Sequence, residues 1–145
     1  MNPSFFGSGP KTDSRWARMC EEMIQTQLLD RGIKDKSVIA AMRRVPRHLF
    51  APEVFHDKAY SDRALPIGNA QTISQPYMVA ISLETLALTG GEKVLEIGAG
   101  TGYVTALLAE MAGQIRAIER IPSLAESARV RLEKLGYTNF LLRAV

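Results

Sequence analysis

Val94-Leu95-Glu96-Ile97-Gly98-Ala99-Gly100-Thr101-Gly102-Tyr103 decides the fold. An apolar run ends in three alternating glycines, and a helical pattern follows. The stretch reads as a strand, a tight turn and a helix N-terminus. Glycine at 98, 100 and 102 permits positive φ and lets the backbone approach a ligand closely. The unpaired N–H groups of the following helix then face whatever lies there.

Working outward, a second strand spans Gln114–Ile118 and is closed by Glu119, a helix spans Ser123–Leu135 and stops at Gly136, and a third strand spans Asn139–Arg143. The order β-α-β-α-β argues for a parallel sheet with right-handed crossovers, an α/β fold of Rossmann-like type. Upstream, a helix begins at Pro76, which suits a first helical position, and ends near Thr89-Gly90-Gly91. An N-terminal helical extension precedes it. Trp16, Met19, Cys20, Met23, Ile24 and Leu28 recur at helical spacing, with Asp13 or Ser14 as cap and Gly32 past the end. A second helix is expected over Lys36–Arg44, capped by Asp35, with Val38, Ile39 and Met42 inward and Pro46 as its stop. From Val45 to Gln75 the periodicity fades; short helical turns and a small strand are expected in this long, functionally suspect connection. The resulting division is a disordered tail over 1–13, a helical and substrate-facing segment over 14–75, and the first part of a Rossmann-like domain over 76–145.

A chain of 145 residues suits one domain, and 46% apolar with 23% charged residues is ordinary for a globular protein. The net charge of +3 is spread without a block of like charges, which argues against nucleic acid as a partner. No apolar run approaches the ~18 residues of a membrane span. Cys20 stands alone, which fits a reducing, cytoplasmic setting and a buried small hydrophobe. His48 and His56 have no companions at metal-ligand spacing, so no metal is expected. Met19, Met23 and Met42 read as core. Arg43, Arg44 and Arg47 read as a solvated helix end, with contact to an acidic peptide as the alternative.

Two cofactor classes use a strand, glycine turn and helix. The dinucleotide pattern G-x-G-x-x-G requires a third glycine where this chain has Tyr103. Glu96, two before the first glycine, would repel a pyrophosphate and suits the cationic S-adenosylmethionine. Glu119 offers a carboxylate to a ribose diol in either class. The glycines alone would also fit a plain tight turn. Their strand context, with Glu96 and Glu119, favours a cofactor site, and S-adenosylmethionine over NAD.

The segment Leu65-Pro66-Ile67-Gly68-Asn69-Ala70-Gln71-Thr72-Ile73-Ser74-Gln75-Pro76-Tyr77 contains no charge; taken alone, Thr72 and Ser74 read as a cap and a turn hydroxyl. Together with Arg44-Val45-Pro46-Arg47-His48-Leu49-Phe50-Ala51-Pro52, the glycine stretch, Ile118-Glu119-Arg120 and Leu135-Gly136-Tyr137-Thr138-Asn139, it resembles the protein-L-isoaspartate (D-aspartate) O-methyltransferase family, from about Trp16 to Asn139. The resemblance implies a Rossmann-like S-adenosylmethionine-dependent methyltransferase fold. It also implies methylation of the α-carboxylate of L-isoaspartyl residues in aged proteins; the ester collapses to a succinimide whose hydrolysis restores some aspartate. The family's active-site serine matches Ser74, and Thr72 lies in the same substrate-facing strip. Ile73 and Gln75 then join Glu96, Gly98, Gly100, Thr101, Gly102, Glu119 and Arg120 as cofactor-binding residues.

A carboxylate acceptor is already ionised at pH 7, so positioning and removal of water matter more than a base. Neutral hydroxyls orient it without damping its nucleophilicity. Family members continue past the position of Val145 with a Gly-Asp-Gly turn and further strands, so the parallel sheet is expected to be incomplete here. Val94, Leu95 and Ile97 would then form an open apolar edge that invites self-association. The alternative reading is a truncated, inactive remnant that folds by such association and binds cofactor weakly. An NAD oxidoreductase ranks third.

Overall fold

A computed structural model describes residues 14–145; the tail expected over 1–13, with the Asp13 cap, lies outside them. Helix α1 (Ser14–Met23) widens into a π-helical turn over Ile24–Leu28, tightens over Leu29–Arg31 and closes at Gly32 with φ 92°. The wider turn buries Ile24, Gln27 and Leu28 together. Helix α2 (Lys36–Arg44) starts where expected, because Asp35 Oδ1 accepts from the N–H groups of Ser37 at 2.8 Å and Val38 at 3.3 Å. It ends because Val45 precedes a proline and takes an extended ψ of 119°.

The long connection forms two 3-10 turns, Arg47–Phe50 and Glu53–Lys58, and then an antiparallel hairpin of β1 (Leu65–Gly68) and β2 (Gln71–Ile73). One small strand was expected and a pair is found. Helix α3 (Pro76–Leu86) ends earlier than Thr89, at Ala87 with φ 51°. Its expected glycine stop belongs to a separate turn, in which the Glu92 carboxylate accepts from the N–H groups of Thr89 and Gly90 at 2.5 and 2.9 Å.

Strands β3 (Lys93–Ile97), β4 (Gln114–Glu119) and β5 (Phe140–Ala144) form a parallel sheet in the order β3-β4-β5. Helices α4 (Tyr103–Met111) and α5 (Pro122–Lys134) make the crossovers. Strand order and connection handedness put both helices on one face, where Ile115, Ala117 and Leu142 are buried against the core. On the other face Leu95 and Ile97 stand 62% and 76% exposed. Val94 departs from the expected open edge: it alternates to the covered side and packs on the core. The uncovered apolar surface is therefore a sheet face, while the outer edge of β3 pairs with no strand among the described residues.

One core joins the two halves. Met23, Leu28, Met42 and Phe50 belong to the same buried cluster as Tyr103, Leu107 and Leu132. Cys20 lies at its margin, 6% exposed, its thiol directed at the Met42 carbonyl. No helix among the described residues is long and apolar enough to cross a membrane. Since Asp35 satisfies two otherwise orphaned N–H groups, Asp35→Ala is expected to cost about 1 kcal/mol, read as a lower urea midpoint with unchanged slope.

Candidate functional site

The glycine loop is tied to the end of β4. The N–H groups of Gly98 and Ala99 both reach the Ile118 carbonyl, at 2.8 and 3.1 Å. Next, the Gly100 N–H donates to Glu119 Oε2 at 2.8 Å, and the Ile121 N–H donates to Oε1 at 2.9 Å. Glu119 is 7% exposed, and each of its oxygens retains acceptor capacity for a ligand.

The three glycines do different work, at φ of 86°, 58° and 90° for Gly98, Gly100 and Gly102. A Cβ at Gly98 would meet nothing within 4 Å, so the backbone there is open to a ligand. A Cβ at Gly102 would lie 3.2 Å from Leu132 Cδ1 and 3.3 Å from Ala128 Cβ, so this position serves the packing of α4 on α5. With Gly102 left-handed, α4 begins at Tyr103. Thr101 is buried, and its carbonyl accepts from Arg131 Nη1 at 2.8 Å.

A cleft of about 230 Å³ opens beside the loop. It brings together Thr72, Gly98, Gly100, Glu119 and Arg120 from the expected site, with Ile67 and Gln71 of the hairpin. Hydroxyl donors fit the Glu119 side, and the backbone at Gly98 leaves room beside it. A sugar-bearing nucleoside has that chemistry. Ile73, Ser74, Gln75, Glu96, Thr101 and Gly102 do not line this cleft. Ile73, the last residue of β2, is buried in the core as its anchor, while Thr72 before it and Ser74 just past the strand are exposed. The Gln75 amide donates to Asp62 Oδ1 at 2.6 Å. Asp62 is also paired with Arg31, and these two bonds hold its carboxyl below the usual range.

Glu96 lies behind the loop. Its Oε2 accepts from Thr105 Oγ1 at 2.6 Å. Burial pushes its carboxyl up to about 7, the Thr105 bond opposing and the Glu119 charge adding.

Arg47 escaped the sequence reading. It is fully buried, not part of a solvated helix end. Its Nε donates to the Ala59 carbonyl at 2.6 Å and its Nη2 to the Ser74 carbonyl at 2.8 Å, and the guanidinium lies 5.0 Å over the Tyr103 ring. Pro46 turns the chain inward just before it, whereas Arg43 and Arg44 remain outside as partners of Glu21 and Glu110. The one available signal was its place between Pro46 and the apolar Leu49-Phe50. His48 stacks on Trp16 at 4.3 Å and shares a 2.9 Å hydrogen bond with the Tyr60 hydroxyl. Among the described residues no group of three or more His, Cys, Asp or Glu could hold a metal.

The family model for protein-L-isoaspartate(D-aspartate) O-methyltransferase matches residues 18–144. Protein-L-isoaspartate O-methyltransferase 1 of Syntrophobacter fumaroxidans is 54% identical over 123 residues, which is 85% of this chain and 58% of that protein. The protein-L-isoaspartate O-methyltransferase of Syntrophus aciditrophicus is 53% identical over 129 residues, 89% of this chain and 59% of that one. The chain thus spans less than two thirds of these relatives' length. A solved protein-L-isoaspartate O-methyltransferase superposes with a TM-score of 0.76 at 27% identity, covering 86% of this chain and 41% of the other. A beta-aspartate methyltransferase structure from Plasmodium falciparum, in complex with S-adenosyl-L-homocysteine, gives a TM-score of 0.70 at 25% identity over 90% of this chain and 62% of that one. None of these likenesses supports an inactive remnant.

The Glu96 geometry sets a pH dependence. An unfolded glutamate titrates near 4.5 and the native one near 7, so the folded state holds the extra proton and stability falls as pH rises through that window. The loss reaches about 3 kcal/mol. Glu96→Gln keeps an acceptor for Thr105 and removes the slope. In urea unfolding, the variant is expected to gain stability over the parent at pH 8 and to match it near pH 4.

Proposed function

Because the chain belongs to the protein-L-isoaspartate(D-aspartate) O-methyltransferase family, we propose that it methylates the α-carboxylate of L-isoaspartyl residues with S-adenosylmethionine as donor. The observation that carries this reading is the placement of Thr72 in one cleft with Gly98, Gly100 and Glu119. When bound, S-adenosylmethionine supplies an electrophilic methyl on a cationic sulfur. Glu119 would hold the ribose hydroxyls, using lone pairs beyond those taken by Gly100 and Ile121. The Gly98 backbone and the exposed Arg120 border the same ligand.

Thr72, on the hairpin strand, and Ser74, just past its end, are both exposed. Among the described residues neither hydroxyl has a hydrogen-bond partner, so both are free to donate to an acceptor carboxylate. Neutral donors leave the attacking oxygen its electron density. No charged residue occurs between Arg63 and Glu84, and the buried Arg47 directs its bonds at main-chain carbonyls. The partners in this reading are proteins carrying isoaspartyl sites. An NAD oxidoreductase loses support, because Tyr103, standing at the dinucleotide's third glycine, is 2% exposed and part of the core.

The test is transfer of labelled methyl from S-adenosylmethionine to an isoaspartyl peptide, with the aspartyl peptide as control. Labelling of the isoaspartyl peptide alone is expected; equal labelling of both overturns the substrate assignment. Ser74→Ala should slow turnover roughly 10- to 100-fold, the worth of one hydrogen bond to a charged group. Titration calorimetry should find its S-adenosylhomocysteine affinity within a few-fold of the parent.

A further inference from the structure

We propose that Arg47 is a positioning residue for the turn Thr72–Gln75, holding Ser74 through its main chain; this rests on the reading of Ser74 as substrate-facing. Ser74 falls between elements. Strand β2 ends at Ile73, and α3 begins at Pro76, which has no N–H to donate. Its own carbonyl accepts from Arg47 Nη2 at 2.8 Å. The next residue, Gln75, is held from another direction by Asp62. Two clamps of opposite chemistry, a cation on the main chain and a carboxylate on a side chain, therefore bracket the turn.

The other bonds of Arg47 say what the turn is held against. Nε reaches Ala59, and the guanidinium plane lies over Tyr103, the first residue of the helix that leaves the glycine loop. One planar group thus spans the irregular segment, the substrate-facing turn and the cofactor loop. Arginine suits this task because its donors form a rigid fork, which a lysine ammonium on its flexible stem cannot reproduce.

Stability is a poor account of the residue. Among the described residues no carboxylate pairs with Arg47, and its buried Nη1 has only the neutral Tyr103 hydroxyl as polar company, without a hydrogen bond of ordinary geometry. A buried, incompletely satisfied charge is costly, and an apolar side chain of similar volume is often the more stable choice. What the charge supplies is a fixed distance between Ser74 and the loop. Misplacement of a reacting group by about 1 Å can cost on the order of 100-fold in rate.

Arg47→Lys and Arg47→Met in the full chain test this. Hydrogen exchange is compared for residues 71–79 and residues 103–111, alongside kcat, peptide KM and S-adenosylhomocysteine affinity. Exchange over 71–79 is expected to rise about tenfold or more with 103–111 unchanged. The turnover number should fall at least about tenfold while KM and the affinity stay within about threefold. Lysine should restore little. Uniform acceleration of exchange in both segments, unchanged kcat, or a kcat loss matched by lost affinity would each overturn the proposal. If the parent transfers no methyl group, the reading of the reaction fails, and the exchange pattern alone decides for or against Arg47. If Arg47→Met does not fold, Arg47→Lys carries both measurements.

Discussion

The Glu119 carboxylate, divided between the N–H groups of Gly100 and Ile121, is the contact on which the rest of the site depends. It closes β4, fixes the middle of the glycine loop and sets the entry to α5 with one group. Left-handed glycines are free to take many shapes, and their conformational freedom is a cost to any folded loop. A single acceptor that satisfies a loop amide and a helix-entry amide offsets that cost. It also leaves the open backbone at Gly98 facing the cleft.

Glu119, Glu96 and Arg47 lie in or beside the core, and each is compensated differently. Glu119 accepts main-chain amides, Glu96 has one hydroxyl and a raised pKa, and Arg47 has two carbonyls and an aromatic ring. Glu119 carries negative potential beside the loop, and its charge adds to burial in raising the Glu96 carboxyl. A cationic ligand in the cleft meets the Glu119 carboxylate and favours the charged form of Glu96 behind the loop. An anionic pyrophosphate would be repelled by Glu119.

Much of this was legible in the sequence where a residue acts on its own backbone. Asp35 caps a helix, Pro46 bars its continuation and Pro76 opens another, and those boundaries fall where the local chemistry puts them. Alternation and the glycine pattern likewise located β3, β4 and the loop between β3 and α4. What was not legible depends on distant partners. The end of α3 moved because Glu92 captured two amides beyond it. Val94 turned to the core because period-2 alternation, not edge position, decides which side of β3 is covered. Arg47 resembled its surface neighbours in type and spacing, and only the folded chain brings Ala59, Ser74 and Tyr103 around it. Within the site, the cleft collects Thr72, Gly98, Gly100, Glu119 and Arg120, whereas Gln75, Thr101 and Glu96 make their bonds outside it.

The single cysteine has a practical consequence. Burial, with Glu21 nearby, pushes the Cys20 thiol up to about 11, and its hydrogen points at the Met42 carbonyl. At neutral pH it is a protonated, shielded thiol, and thiolate is the form that reacts with alkylating reagents. The folded chain is therefore a nearly silent background for thiol chemistry. A spectroscopic label on a cysteine introduced at an exposed position of the hairpin or the open sheet face would report from that position alone.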